Sequence, residues 1–136
     1  MSRSGYTDDW YEDNSGWLYR GAVKSAFQGR RGQAFLKEML AALDAMPVKE
    51  LIAHELEQEG AVCAIGAVGR ARGVDMSKLD PEDPDTVAGT FGIARAMACE
   101  LVYENDGEHR FTPETPTERY QRMRRWIESE IKIDTR

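Results

Sequence analysis

The sequence predicts an all-α protein, with a single compact helical domain of about six helices over residues 17–136 behind a loose acidic N-terminal arm, residues 1–16. Three observations point there. Apolar residues recur at three- and four-residue spacing along most of the chain, the period of a helix face. Gly or Pro stands at the edges of these stretches, where helices stop or start. With 41% hydrophobic residues, 136 residues are enough to bury one core.

The arm is rich in Gly, Asp, Ser and Tyr, and its Tyr6, Trp10 and Tyr11 are expected to fold back and cap the core. Helix one is predicted over 17–28, with Leu18, Ala22, Val23, Ala26 and Phe27 on one face and Gly29 ending it. Helix two, 31–45, carries the stripe Phe35, Met39, Ala42, Leu43 and Met46, with Lys37, Glu38 and Asp44 off it. Pro47 suits the first turn of a third helix, because its missing N–H is an orphan there anyway. Leu51, Ile52 and Leu56 form that helix's buried side, and Gly60 stops it after Glu59.

Helix four is predicted over 61–72, although its apolar start also fits a strand. Its small residues Ala64, Gly66, Ala67 and Gly69 imply that another element packs very close. Residues 73–83 read as a loop with Val74, Met76 and Leu79 tucked inward. Asp83 can cap a short helix, 84–91, with Pro84 at its first position. A turn at Gly92 leads to helix 94–105, and 106–115 is loop. Thr115 and Glu118 form a capping box for the last helix, 116–132. That helix buries Tyr120, Met123, Ile127 and Ile131 with Trp126 beside them, and places Arg119, Arg122, Arg125 and Lys132 on its flanks and far side.

The formal net charge is −6, unevenly spread. Residues 17–50 are net +3, residues 74–117 net −7 and residues 118–136 net +2. This argues against a generic nucleic-acid binder, and the uneven spread reads either as solvated faces that keep a small domain soluble or as an acidic surface that meets a basic partner, or basic patches that meet an acidic one. No apolar run approaches the roughly 18–20 residues of a membrane helix. The N-terminus has no signal-peptide h-region, so a reducing cytoplasm is expected. There Cys63 and Cys99 read as small core hydrophobes. A zinc site from Cys63, Cys99, His54 and His109 has no CxxC or HxxxH spacing behind it. The acidic loop from Asp75 to Asp85 lacks the calcium-loop spacing. No Ser or Cys sits in a nucleophile elbow. The expectation is therefore no enzyme, no cofactor and no metal.

The most specific local pattern is at 86–103, TVAGTFGIARAMACELVY, which fits a helix–turn–helix template. Ala88 stands where the helices touch, Gly92 where the turn needs a positive φ, Ile93 where the core is plugged, and Ala98 and Leu101 inward. The outward positions are expected to be Ala94, Arg95, Met97 and Glu100. Of these, Arg95 alone is a base-reading type. Carboxylates at Asp75, Asp80, Glu82, Asp83 and Asp85 would oppose a phosphate backbone. Two basic groups, Arg20, Lys24, Arg30, Arg31 and Lys37 in one and Arg122, Arg124 and Arg125 in the other, read either as solvated faces or as contacts to phosphate or an acidic partner.

The phrases MSRSGYTDD, RGAVKSAFQGRRGQAFLKEMLAALDAMP, VCAIGAVGRARGVDMSKLDPED and VAGTFGIARAMACELVYEND together resemble a family of small proteins encoded by tailed bacteriophages and prophages of proteobacteria. The resemblance covers residue 1 to about 133 and carries no functional residues over. It implies a phage accessory protein in the bacterial cytoplasm that binds a host or phage protein with a basic groove, including anti-defence inhibitors of the anti-CRISPR type. The binding residues expected from the charge layout are Asp75, Asp80, Glu82, Asp83, Asp85, Glu100 and Glu104. The alternative is a helix–turn–helix DNA-binding regulator using 86–103, with Arg95, Arg30 and Arg31 on DNA.

Overall fold

Helical periodicity is realised as helix nearly everywhere, with one exception that shapes the molecule. The computed structural model describes residues 15–107 and 112–132. In order these form α1 (Ser15–Gln28), α2 (Arg30–Ala45), β1 (Glu57–Gln58), β2 (Ala61–Val62), α3 (Ala64–Arg72), α4 (Pro84–Phe91), α5 (Arg95–Asp106) and α6 (Pro116–Glu130). The predicted positions of Tyr6, Trp10, Tyr11, the Leu18 side chain and His109 lie outside the described residues. Ser15 and Gly16, expected in the arm, already belong to α1.

α5 is the hub. α1, α3, α4 and α6 pack on it, while α2 packs on α1, α3 and α6. Leu36, Met39, Leu43, Met97, Leu101 and Ile127 are fully buried between these helices, so one core serves all of them. Burying one such side chain is worth about 1.5–3 kcal/mol. α1 presents Tyr19 and Phe27 to this core, with Val23 and Ala26 partly buried, while Ala22, expected inward, is exposed. The Gln33 side chain ties the helix ends together. Its Nε2 donates to the Phe27 carbonyl (2.7 Å) and the Glu130 carbonyl (3.0 Å), and its Oε1 accepts from the Lys132 N–H (2.8 Å).

The exception is the predicted third helix. Residues 46–56 form no helix, and 57–62 form an antiparallel hairpin with Glu57 opposite Val62 and Gln58 opposite Ala61. Leu51 and Leu56 are buried as expected, but distant partners take the backbone groups. The Leu51 N–H donates to the Pro116 carbonyl (3.1 Å) and the Ile52 N–H to the Val62 carbonyl (2.9 Å). Asn105 Nδ2 donates to the Ile52 carbonyl (2.9 Å) and Arg119 to the Leu51 carbonyl (3.2 Å). An isolated helix shorter than about 12–15 residues is marginal on its own, so tertiary bonds decide the conformation. The hairpin turn is Glu59-Gly60, both with positive φ (52° and 85°), the geometry that matches strand twist.

α3 accordingly starts at Ala64, three residues later than its apolar pattern implies. Its small residues meet a close neighbour, as their size requires. A Cβ on Gly66 would overlap the Leu56 carbonyl, and one on Gly69 would overlap the Met76 side chain. Asn105, almost fully buried, holds this junction: its Oδ1 accepts from the Ala64 N–H (3.0 Å) at the start of α3. α4 and α6 start as predicted. Asp83 caps α4 with Pro84 in its first turn, and Thr115 and Glu118 make both bonds of a capping box for α6. α6 ends at Glu130, one position before Ile131.

Candidate functional site

Five exposed acids lie on the connection between α3 and α4 and in the first turn of α4, while Glu50, Glu55, Glu57 and Glu59 are exposed on the preceding segment and hairpin. Asp75, Asp80, Glu82, Asp83 and Asp85 are all exposed, whereas Met76 and Pro81 are buried and Val74 and Leu79 half-buried beneath them. The apolar members pin the loop, and its carboxylates bind its own backbone. Asp75 accepts from the Ser77 N–H (3.0 Å) and hydroxyl (2.7 Å). Asp80 accepts from the Glu82 N–H (2.9 Å). Asp83 accepts from the Thr86 N–H (3.3 Å) and hydroxyl (2.8 Å). The Ser77 amide and hydroxyl hold Asp75 below the usual carboxylate range, and the Thr86 hydroxyl and amide do the same for Asp83. Bonds to the ionised form favour it. Asp75, Asp80 and Asp83 are thus each held by amides or hydroxyls within three residues. Asp85, 79% exposed, also meets Arg95 at 3.0 Å.

Two of the predicted acidic residues are placed elsewhere. Glu100, expected to face outward, is 8% exposed and accepts a 2.9 Å hydrogen bond from the Tyr19 hydroxyl. α1 lies across α5 and covers it. Glu104 is half-buried, 3.8 Å from Arg122. Arg122, expected on the flank of α6, belongs to a buried network instead. It grips Glu114 through Nε (2.9 Å) and Nη2 (2.7 Å) and donates to the Asn105 carbonyl (3.1 Å), with Arg119 Nε 3.4 Å from the same carboxylate. The Glu114 side chain is only 6% exposed.

The helix–turn–helix geometry itself is present. Gly92 has φ 71° and receives the end of α4, Ala88 and Ile93 are buried, and Ala98 and Leu101 point inward. The reading face is not open. Residues 96 to 101 of α5 are all buried, including Met97, which was expected outward and packs beside Gly32 of α2. A recognition helix must expose 3–4 side chains to base edges; of the four outward positions assigned to this one, Arg95 is exposed and Ala94 half-buried. The other members of the DNA set, Arg30 and Arg31, are exposed at the start of α2 and line a cavity of ≈190 Å³ together with Ala94.

Nothing among the described residues brings three or more His, Cys, Asp or Glu side chains together as a metal site. Cys63 and Cys99 are free, buried thiols. Cys63 Sγ accepts the Gly66 N–H (3.3 Å) and so caps α3. Burial pushes its pKa up to about 12, and pushes that of Cys99 up to about 11. Both are poor nucleophiles in this state. His54, at φ 72°, is a structural residue whose N–H donates to Asp106 Oδ1 (3.0 Å).

A second concavity, a groove of ≈330 Å³ lined by Tyr19, Val23, Lys24, Phe27, Glu100 and Glu130 among others, runs along α1. Burial, and then the Glu100 charge, raises the proton affinity of Glu130 there. Sequence reasoning missed this groove, the Tyr19–Glu100 bond and the role of Asn105, because each joins residues far apart in the chain. No helix among the described residues is long and apolar enough to cross a membrane. Compared with known protein families, curated proteins and solved structures, the chain matches none.

Proposed function

We propose that the protein is a non-enzymatic phage accessory protein. On this reading it presents the α3–α4 connection to a host or phage protein with a basic groove, as an anti-defence inhibitor of the anti-CRISPR type does. One observation carries this: Asp75, Asp80, Glu82 and Asp83 are exposed on one short connection, with Asp75, Asp80 and Asp83 bonded to groups within three residues, and Asp85 is exposed in the helical turn that follows. A row of anions resembles a phosphate backbone to a groove built for one. The resemblance of residues 1 to about 133 to small phage proteins supports the setting, the bacterial cytoplasm. Glu100 and Glu104 drop out of the contact set, because Tyr19 and Arg122 engage them. The DNA-regulator reading through 86–103 has weaker support, since the face of α5 that would enter a groove is covered by α1, with Met97 set against Gly32 of α2.

Competition tests the proposal. The full chain is immobilised, nuclease-treated lysate of the bacterial host is passed over it, and bound protein is challenged with duplex DNA. A retained protein that duplex DNA displaces is the expected result. A retained protein indifferent to duplex DNA, or none at all, contradicts it.

A further inference from the structure

We propose that the groove along α1 is a binding site for a small organic monocation, a single ammonium or guanidinium group carried on a compact apolar body. Tyr19, Val23 and Phe27 line the groove from α1. They stand four residues apart, so they form one stripe along that helix. Phe27 packs edge to face on Trp126 of α6, with ring centroids 5.6 Å apart. The facing wall is acidic, with Glu100 supplied by α5 and Glu130 by the last residue of α6. Glu100 is 8% exposed, and the Tyr19 hydroxyl orients its carboxylate through a 2.9 Å hydrogen bond. Glu130 is half-buried. Its carbonyl accepts from Gln33, but its carboxylate has no hydrogen bond or ion pair with a described residue. Burial, and next the charge of Glu100, raise its proton affinity, and no cation offsets them.

Each of these features narrows the occupant. The groove holds ≈330 Å³, at the small end of the roughly 300–1,000 Å³ of ligand pockets, which is room for a compact molecule and not for a helix. A neutral apolar ligand would strip water from two carboxylates and return no bond. An anion would add a third negative charge. A bare metal ion needs more oxygens, and no third His, Cys, Asp or Glu among the described residues joins the pair. A cation on an apolar body answers both walls, because aromatic rings attract a cation as well as covering its carbon atoms. Arg20 and Lys24 also border the groove, but both are exposed. Water screens their charge, whereas the acids act through a drier medium. These two cations disfavour an extended polycation, whose further charges would meet them, and so select a single charge. This inference does not rest on the acidic-connection reading, because the groove shares no residue with Asp75 to Asp85.

Phenethylammonium chloride, a benzene ring joined to one ammonium group by a two-carbon link, is the probe. It is titrated into the isotope-labelled full chain at neutral pH and followed by NMR. Saturable binding with a Kd of about 1 mM or tighter is expected, the level a ligand of about nine heavy atoms reaches at ordinary efficiency. The shift changes should centre on Tyr19, Val23, Phe27 and Glu130. Phenylethanol, the uncharged counterpart, should bind at least about tenfold more weakly. Glu130→Gln copies the protonated carboxyl that burial favours, so it should melt no lower than the parent while losing at least about tenfold in affinity. Neutralising Asp80, Glu82, Asp83 and Asp85 should leave the affinity unchanged. Binding should weaken as acid protonates Glu130, because the cation prefers the ionised pair. A Kd weaker than about 1 mM, shift changes centred on the Asp75 to Asp85 connection, phenylethanol bound as tightly, or a Glu130→Gln variant as tight as the parent would each overturn the proposal.

Discussion

Two acidic stretches that look alike in sequence have opposite fates. Along 75–85 every carboxylate is exposed and bonds, if at all, to its own loop or, at Asp85, to nearby Arg95. Along 100–114 the carboxylates of Glu100, Asp106 and Glu114 turn inward: the first accepts from Tyr19, the second from the His54 N–H and the third from Arg122, with Arg119 Nε 3.4 Å from Glu114. The difference follows from what surrounds each stretch. A connection whose Met76 and Pro81 face the core must turn its acids to water. A helix packed by four others must find donors for acids it cannot expose. Similar charge in sequence is therefore left on the surface in one place, where we propose it serves recognition, and is built into the architecture in the other.

Substitutions should separate these two uses. The largest effect is expected at Glu114→Gln, which leaves Arg122 and Arg119 buried without their carboxylate. Urea unfolding should show a loss of about 3 kcal/mol. Asn105→Ala removes the bonds to Ala64 and Ile52 at a buried junction, and the same measurement should show a loss of about 2 kcal/mol. A loss below about 0.5 kcal/mol at either position would mean that the inward stretch is not architectural after all.

Alkaline pH probes the same interior. Burial raises the folded-state pKa of Cys63 to about 12 and that of Cys99 to about 11, against 9.0 for an unperturbed thiol. The folded state therefore holds protons that the unfolded state releases, and stability falls as pH rises above about 9. Each thiol contributes up to about 1.4 kcal/mol per pH unit until its folded pKa is reached. Cys99→Ala should flatten part of that slope between pH 9 and 11, read by melting temperature against pH; an unchanged slope would show that Cys99 is not the buried thiol described. At the acid end the signs are mixed. Glu38, lowered chiefly by its hydrogen bond to Arg72, contributes stability that is lost as pH falls below 4.5, the value of an unperturbed Glu, whereas Glu130, raised by burial, gains a favourable proton over the same descent.

The smallest effect on stability is expected at the hairpin turn. Glu59 sits at φ 52°, where Asn is better tolerated, so Glu59→Asn should stabilise by about 0.5 kcal/mol. A destabilised variant would argue that the Glu59 side chain holds the turn by some other contact.

How much of this was legible depended on range. The α4–α5 hairpin, the Asp83 cap and the Thr115–Glu118 box are local devices, in which residues within a few positions satisfy each other, and each forms as its spacing implies. Residues 46–62 misled because Leu51 and Leu56 have helical spacing and are buried, while their backbone is bonded to Pro116, Val62 and Asn105, which no local pattern announces. Glu100 misled for a related reason. Template spacing calls its position outward, but α1, about 80 residues earlier, lies across it. In the candidate site, the row from Asp75 to Asp85 was readable because a polar loop between two helices has nowhere to go but the surface.

The most direct test of the recognition claim is one variant with two readouts. In Asp80→Asn/Glu82→Gln/Asp83→Asn/Asp85→Asn the side chains keep their shape, and Asn can still cap α4 at position 83. Melting should therefore stay close to that of the parent while capture of the protein partner from host lysate, quantified by mass spectrometry, is lost. Capture equal to that of the parent, with the four charges gone and the fold intact, would contradict the account.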